Sequence, residues 1–210
     1  MASTAADDFF PPLRRRLKYS MKRSGGFYHY QRYRREITED CLFRCVFCDS
    51  HEREIGGETS MDLDHFRPKS RKEFKHLIND PRNLIYACKS CNGLKSDWWP
   101  AGRRKATFIG EEGFLEPFGI DRRDYFAIGK EGAIRGKRPP ARYMITLLAL
   151  DRPFLRRIRE LRTLKRDLAK LGTGLKHQAE LVLSGSWSSD PKAVSKIAME
   201  VVQMIQRLVD

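Results

Sequence analysis

Two short stretches decide how this chain folds: Cys45-Val46-Phe47-Cys48, and residues 83–95, which read NLIYACKSCNGLK. Each stretch contains two cysteines separated by two residues, and thirty-nine residues lie between the two pairs. A Cys-x-x-Cys turn directs two sulfurs at one point, and two such turns, called knuckles below, offer the tetrahedral four-sulfur site that zinc prefers. We therefore predict a structural zinc ion bound by four side chains: Cys45, Cys48, Cys88 and Cys91.

Other uses of paired cysteines are a redox motif, an iron–sulfur cluster or buried free thiols. A redox motif needs only one pair, and iron–sulfur clusters usually show different spacing. A site closed by four cysteines has no open coordination position, so this zinc is expected to stabilise the fold and to do no chemistry. The fifth cysteine, Cys41, is expected to be a small buried hydrophobe.

The residues between and beside the knuckles combine a metal-binding oxygen with a proton acceptor. Asp64 and His65 are adjacent, and Asp62 lies two residues earlier on the same strand face as Asp64. Asn83 opens a short apolar run that is typical of a strand, and Asn92 follows the second knuckle at the start of a polar helical segment. If zinc ties the knuckles together, these side chains can converge.

This combination, over residues 41–98, resembles the HNH nucleases of the ββα-metal superfamily that are braced by a four-cysteine zinc site. The resemblance implies that His65 is the general base and that Asn83 holds its ring. It also implies that Asp64 and Asn92 bind one magnesium or manganese ion. The third signature residue is Asn92, which makes this an HNN variant, and an amide oxygen is still a hard ligand. The implied reaction is phosphodiester hydrolysis to 5′-phosphate and 3′-hydroxyl ends.

The charge of the chain indicates a polyanionic partner. Lys and Arg number 41 against 27 Asp and Glu, which gives a net charge of +14. Residues 11–35 contain nine Lys or Arg, no acid and five aromatics, a pattern that favours contact with nucleic acid over a solvated arm whose rings pack on the core. Three further side chains are predicted to contact flanking phosphates: Arg67, Lys69 and Lys95. DNA is the favoured substrate, and RNA stays open.

The alternative function is a zinc-ribbon module that binds nucleic acid without cutting it. Such a module needs the cysteines and the basic charge, but it does not need Asp64, His65 and Asn92 together. Two less specific stretches, residues 114–117 (FLEP) and 148–152 (LALDR), resemble small stand-alone HNH proteins. Several of those proteins serve bacterial anti-phage defence beside an ATPase, so the resemblance implies a defence role and an ATPase partner, with a homo-oligomer as the other option.

The expected architecture is α+β, with a ββα-metal (HNH) core that carries the zinc knuckles. We expect a basic N-terminal segment at 1–40, the nuclease core at 41–100, and a hairpin and helical region at 101–210 that packs on the core. No apolar run approaches the roughly 20 residues that a membrane span requires. The N-terminus has no basic start followed by an apolar stretch, so we expect a cytoplasmic protein that makes no membrane contact.

The C-terminal half shows two local patterns. Ile128 and Ile134 flank residues 129–132 (GKEG), which predict a hairpin turn. Apolar residues then recur at helical spacing, and Gly172 is expected to end that helix. A last helix is expected to begin at Asp190-Pro191 and to pack its apolar stripe on this chain, or else on a partner. The stripe comprises Val194, Ile197, Ala198, Val201, Met204, Ile205 and Leu208.

Overall fold

The computed structural model describes residues 9–100, 106–184 and 191–209. The fold is α+β, as predicted, with three two-stranded antiparallel sheets and five α-helices among the described residues. The chain divides into two compact units, Met1–Arg156 and Arg157–Asp210. The predicted division at residues 40 and 100 stays a prediction. In the described ranges, no helix is long and apolar enough to cross a membrane.

The basic N-terminal segment packs within the first unit through both its rings and its arginines. The ring of Tyr33 is fully buried. The guanidinium of Arg15 donates hydrogen bonds to the carbonyl oxygens of Pro81 and Leu84 at 3.0 and 3.2 Å. The segment then enters helix α1, Arg34–Asp40. Part of the basic charge in this segment therefore serves packing, and part forms ion pairs within the chain, as Arg16 does with Asp40.

A β-hairpin followed by a helix forms the centre of the first unit. Strand β1, Met61–His65, pairs antiparallel with strand β2, Leu84–Cys88, and His65 lies opposite Leu84. Helix α2, Lys89–Lys95, follows β2 without a loop. The sulfur of Cys88 accepts the backbone N–H of Cys91 at 3.4 Å, so the last residue of the strand also caps the first turn of the helix.

Strand β1 separates an apolar face from a polar one. Met61, Leu63 and His65 are buried, whereas Asp62 and Asp64 are partly exposed on the opposite face. This alternation follows from the period of two in a strand. Strand β2 is buried along its whole length, because other elements cover both of its faces. The two aspartates therefore share one face of the hairpin.

Two smaller hairpins and a short helix complete the first unit. Strands β3, Phe108–Ile109, and β4, Glu112–Gly113, form one hairpin. Strands β5, Phe126–Ile128, and β6, Ile134–Gly136, form the other. Ile128 pairs with Ile134, which confirms the hairpin predicted around residues 129–132. Helix α3, Ala141–Leu147, follows β6.

Phe114 joins this later region to the ββα centre. Its ring is fully buried and lies 6.0 Å from the ring of Phe47 in the first knuckle. It also lies 5.5 Å from Trp98 and 6.4 Å from Trp99, which follow α2. A single aromatic side chain thus contacts both the first knuckle and the segment that follows α2.

The C-terminal helices differ from the prediction at one glycine. Helix α4 runs over Pro153–Leu183 and passes through Gly172, so the predicted helix end at that residue is wrong. A glycine inside a helix costs only about 1 kcal/mol relative to alanine, which the apolar pattern on both sides outweighs. Helix α5, Pro191–Val209, begins at the predicted proline, and the predicted cap Asp190 lies outside the described residues.

The apolar stripe of α5 is described in part. Val201 and Met204 are partly exposed, and Ile205 is exposed. Val194, Ile197 and Leu208 lie outside the residues whose side chains are described. Packing of this stripe on the chain stays a prediction.

Replacing Phe114 with alanine should lower the free energy of unfolding by about 4 kcal/mol, because it removes a fully buried ring. Urea unfolding followed by tryptophan fluorescence measures the change. Phe154→Ala is the matched control, because that ring is 56% exposed and its loss should cost below about 1 kcal/mol. Equal losses in the two variants would contradict the role given to Phe114.

Candidate functional site

Four cysteine sulfurs meet at the junction between the first knuckle, strand β2 and helix α2. Cys45, Cys48, Cys88 and Cys91 are all buried, and their sulfur atoms lie within 4.8 Å of one another. All five cysteines of the chain are free of disulfide bonds. A zinc–sulfur bond of about 2.3 Å implies sulfur–sulfur edges of about 3.8 Å in a tetrahedron. The Cys48–Cys88 separation of 3.9 Å fits that geometry.

The surrounding backbone fixes this arrangement. The N–H of Val46 donates to the carbonyl oxygen of Tyr86 at 3.0 Å, which ties the first knuckle to strand β2. The N–H of Asp49 donates to the carbonyl oxygen of Cys45 at 2.9 Å and closes the knuckle turn. The four cysteines are therefore positioned to form a metal site, and the all-sulfur donor set suits zinc.

Arg152 adds a positive charge beside the cysteines. Its guanidinium donates to the carbonyl oxygens of Leu148 and Ala149 at 3.1 and 3.2 Å. Burial works to lower the pKa of Arg152, but the sulfurs of Cys91, Cys48 and Cys88 outweigh it and the pKa is raised. The sequence does not indicate this position for Arg152, because sixty residues separate it from Cys91 and no spacing rule connects them.

Cys41 differs from the other four cysteines. It is fully buried, and burial raises the pKa of its thiol to about 12, so the thiol stays protonated and unreactive. This confirms the expectation of a buried small hydrophobe. It also makes Cys41 the natural control for experiments on the zinc site.

The purified protein should contain one zinc ion per chain, and Cys45→Ala should lose it and unfold at a lower temperature, because three sulfurs bind zinc more weakly than four. Cys41→Ala should keep the zinc, since its sulfur lies outside the cluster. Elemental analysis measures the zinc, and thermal unfolding measures the stability. Equal zinc content in the two variants would refute the site.

His65 is held by the backbone of a distant loop. Its Nε2 lies 2.8 Å from the carbonyl oxygen of Ile78. A carbonyl oxygen can only accept, so Nε2 carries the hydrogen and Nδ1 keeps its lone pair. Burial lowers the pKa of His65, which favours the neutral imidazole. The residue is therefore prepared to accept a proton at Nδ1.

Asn83 acts on the loop after β1, which differs from its predicted role on the His65 ring. Its Oδ1 accepts the backbone N–H of Arg67 at 2.9 Å, and its Nδ2 donates to the carbonyl oxygen of Arg67 at 3.0 Å. The ring and tautomer of His65 are instead fixed by Ile78. Asn83 thus shapes the chain two residues beyond His65.

Helix α2 lies along the polar face of β1 and brings two of its side chains onto the aspartates. The Nδ2 of Asn92 donates to Asp62 at 3.0 Å, and the Nζ of Lys95 donates to Asp64 at 3.2 Å. Asn92 and Lys95 are three residues apart in the helix, and Asp62 and Asp64 are two apart in the strand, so each pair shares a face. The predicted ligands Asp64 and Asn92 therefore stand on facing elements.

The oxygen atoms of this cluster suit a hard cation. The bond to Asp62 uses the amide nitrogen of Asn92 and leaves its oxygen for a ligand. Lys95 contacts one oxygen of Asp64 and leaves the other. Carboxylate and amide oxygens are the donors that magnesium and manganese prefer. Asp62 supplies further negative charge beside them.

Lys95 does not fit its predicted role as a phosphate contact. Its side chain has no exposed surface, and its ammonium donates to Asp64, to the carbonyl oxygen of His65 at 3.0 Å and to that of Ser96 at 3.4 Å. Three donors satisfy three acceptors, so no N–H is left for a substrate. The motif suggested a surface charge because sequence alone does not show which face of α2 is buried.

The other predicted phosphate contacts remain accessible. Lys69 is exposed, and its ammonium donates to the hydroxyl of Tyr30 at 3.3 Å. Arg67 is partly exposed, and its guanidinium lies 5.6 Å from the ring centroid of Trp99. Both residues follow β1 directly, on the loop that Asn83 shapes.

Lys95→Met should lower the free energy of unfolding by about 3 kcal/mol, because Asp64 and two backbone carbonyls lose their partner. Lys75→Met is the control, since Lys75 is exposed. Urea unfolding of both variants with zinc present gives the comparison. A Lys95→Met protein as stable as the control would show that the ion pair does not organise the site.

Residues 45–97 match the family model described as HNH endonuclease. The match covers about a quarter of the chain and contains the four cysteines together with the predicted site residues. The resemblance found in the sequence is thereby confirmed for this segment, which matches the HNH endonuclease domain. Comparisons with curated proteins and with solved structures gave no match.

Proposed function

We propose that the protein is a metal-dependent endonuclease that hydrolyses phosphodiester bonds of nucleic acid, with DNA as the favoured substrate. One observation carries the proposal. His65 presents Nδ1 as a base through its bond to Ile78, at the end of the strand whose polar face holds Asp64 against helix α2. A protein that only binds nucleic acid does not need an oriented histidine next in sequence to a carboxylate that helix α2 holds.

In the proposed reaction, Nδ1 of His65 takes a proton from the attacking water. The water oxygen forms a bond to phosphorus, and the bond between phosphorus and the 3′ oxygen breaks. The leaving oxygen receives a proton from solvent, which gives 5′-phosphate and 3′-hydroxyl ends. The bond from His65 to the Ile78 carbonyl stabilises the imidazolium that forms, because it holds the Nε2 hydrogen against a negative dipole.

Asp64 and Asn92 would hold one magnesium or manganese ion, with Asp62 supporting Asn92 from the strand. Such an ion supplies Lewis-acid stabilisation of the charge that grows on the phosphate and on the leaving oxygen. Lys95 orients the Asp64 carboxylate and balances part of its charge. The four cysteines would hold zinc, which keeps the strand and the helix in this relation.

Binding should depend mainly on phosphates. The net charge of +14 attracts a polyanion, and Arg67 and Lys69 stand at the exit of β1 where flanking phosphates would pass. The catalytic core would contact a phosphodiester and does not require a particular base or sugar. RNA is therefore tested as a substrate beside DNA. The defence role, the ATPase partner and the cytoplasmic location stay predictions from the sequence.

His65→Ala should cut supercoiled plasmid at least about 100-fold more slowly than the parent protein with magnesium or manganese present, because the general base is lost. His76→Ala is the matched control, since that histidine is exposed on the surface. Gel electrophoresis of nicked and linear product measures the rate, and ligation of the product tests for 5′-phosphate ends.

Metal-dependent cutting that His76→Ala keeps and His65→Ala loses supports the proposal. Cutting by His65→Ala at the parental rate would remove His65 as the base. If the parent protein binds plasmid but cuts neither DNA nor RNA with either metal, the chain is a binding module instead.

A further inference from the structure

Tyr30, from the basic N-terminal segment, lies directly against the proposed general base. Its ring centroid is 4.8 Å from that of His65, and the two planes meet at 62°, an edge-to-face contact. Thirty-four residues separate the two in sequence. No motif of the nuclease core includes Tyr30, and the family match begins at residue 45.

Two contacts hold Tyr30 in this position. Its backbone N–H donates to the Oδ1 of Asn79 at 3.0 Å. Asn79 follows Ile78, whose carbonyl oxygen lies 2.8 Å from the His65 ring. One turn of the chain therefore positions both the base and the tyrosine, so the distance between them is set by the fold.

The second contact joins Tyr30 to a cation. The Nζ of Lys69 lies 3.3 Å from the Tyr30 hydroxyl oxygen and 4.8 Å from the ring centroid. Because the hydroxyl oxygen accepts from Lys69, the hydroxyl hydrogen is free to point at another acceptor. Hydrogen bonds from Gln31 and Lys69 lower the pKa of Tyr30, which makes its O–H a stronger donor.

The pair carries positive charge that no acid of the described chain neutralises. Within the described ranges, no carboxylate forms an ion pair with Lys69, and the side chain reaches solvent. Lys95, by contrast, is buried and satisfied. A cation with an adjacent hydroxyl donor, both open to solvent beside a buried base, is suited to bind an anionic oxygen.

We propose that Tyr30 and Lys69 form a phosphate-binding pair that holds the nucleic-acid backbone next to His65 during cleavage. The inference rests on the proposed nuclease function and adds a substrate contact from outside the nuclease core. Tyr30 donates its hydroxyl hydrogen to a phosphate oxygen beside the cut, and Lys69 supplies the charge. The ligand is the phosphodiester itself, and the contact is independent of base identity.

The test compares four single variants of the full chain, each checked for parental thermal stability. Tyr30→Phe removes only the hydroxyl, and Lys69→Gln removes only the charge. Tyr125→Phe is the matched control for the hydroxyl, because Tyr125 also lies under a cation, with Arg138 4.3 Å from its ring centroid. Lys75→Gln is the matched control for the charge, since Lys75 is exposed.

Two measurements are made with a labelled DNA duplex. The first is cleavage with magnesium, from which KM and kcat are obtained separately. The second is binding without added magnesium or manganese over a range of salt concentrations, which does not require cleavage. Binding to a neutral hydroxyl releases no counterion, whereas binding to a lysine releases about one.

Tyr30→Phe should raise KM about tenfold with kcat within about twofold, and it should leave the salt dependence of binding unchanged. Lys69→Gln should weaken binding and reduce the slope of log K against log salt by about one. Both control variants should behave like the parent. A kcat loss without a KM change in Tyr30→Phe would overturn the proposal, because Tyr30 would then act through His65 alone.

The outcomes separate this inference from the proposed function. If the parent cuts DNA and the Tyr30 and Lys69 variants match their controls, the phosphate pair is wrong and the nuclease stands. If the parent neither cuts nor binds nucleic acid, the proposed function fails and the pair fails with it.

Discussion

The convergence of four sulfurs at the end of strand β2 is the constraint on which the rest of the first unit depends. Cys88 is the last residue of the strand, and Cys91 lies in the first turn of the helix. A zinc ion bound by these two cysteines together with Cys45 and Cys48 would fix the angle at which α2 leaves β2. That angle places Asn92 over Asp62 and Lys95 over Asp64. A site built to stabilise the fold thus also sets the spacing of the groups proposed to do the chemistry.

The polar face of β1 shows how opposite charges are arranged around this geometry. Two aspartates on one strand face would repel each other, and the buried ammonium of Lys95 offsets part of that repulsion. The two carboxylates and the ammonium together carry one net negative charge. A bound divalent cation would make the net charge of the cluster positive. The buried lysine therefore serves the site from inside the protein, and contact with the substrate is left to Arg67, Lys69 and the N-terminal segment.

The sequence predicted the parts of the site and of the fold that have characteristic spacing. The two Cys-x-x-Cys pairs, the Asp64-His65 dipeptide and the β5–β6 hairpin depend on local patterns, so a single sequence indicates them. Ile78 could not be identified in this way, because its contribution is a backbone carbonyl that any residue could supply. Arg152 could not be identified either, since its position beside the cysteines depends on tertiary packing.

The predictions for Gly172 and Lys95 were wrong because both depend on the residues that pack or repeat around them. Glycine is common at helix ends, but apolar residues recur at helical spacing on both sides of Gly172, and the helix continues to Leu183. Lysine is usually a surface residue, but Lys95 lies on the face of α2 that covers β1. The aromatic residues of the basic segment fall into more than one structural setting. Some, such as Tyr33, are buried in the core, and Tyr30 packs on His65.

One zinc site and one separate oxygen site for a divalent ion are proposed to coexist within the ββα unit. Crystals of the protein soaked in manganese, with anomalous diffraction recorded at the zinc and manganese edges, test this coexistence directly. We expect a zinc peak among Cys45, Cys48, Cys88 and Cys91, and a manganese peak between Asp64 and Asn92. A manganese peak elsewhere, or no manganese bound while zinc is present, would contradict it.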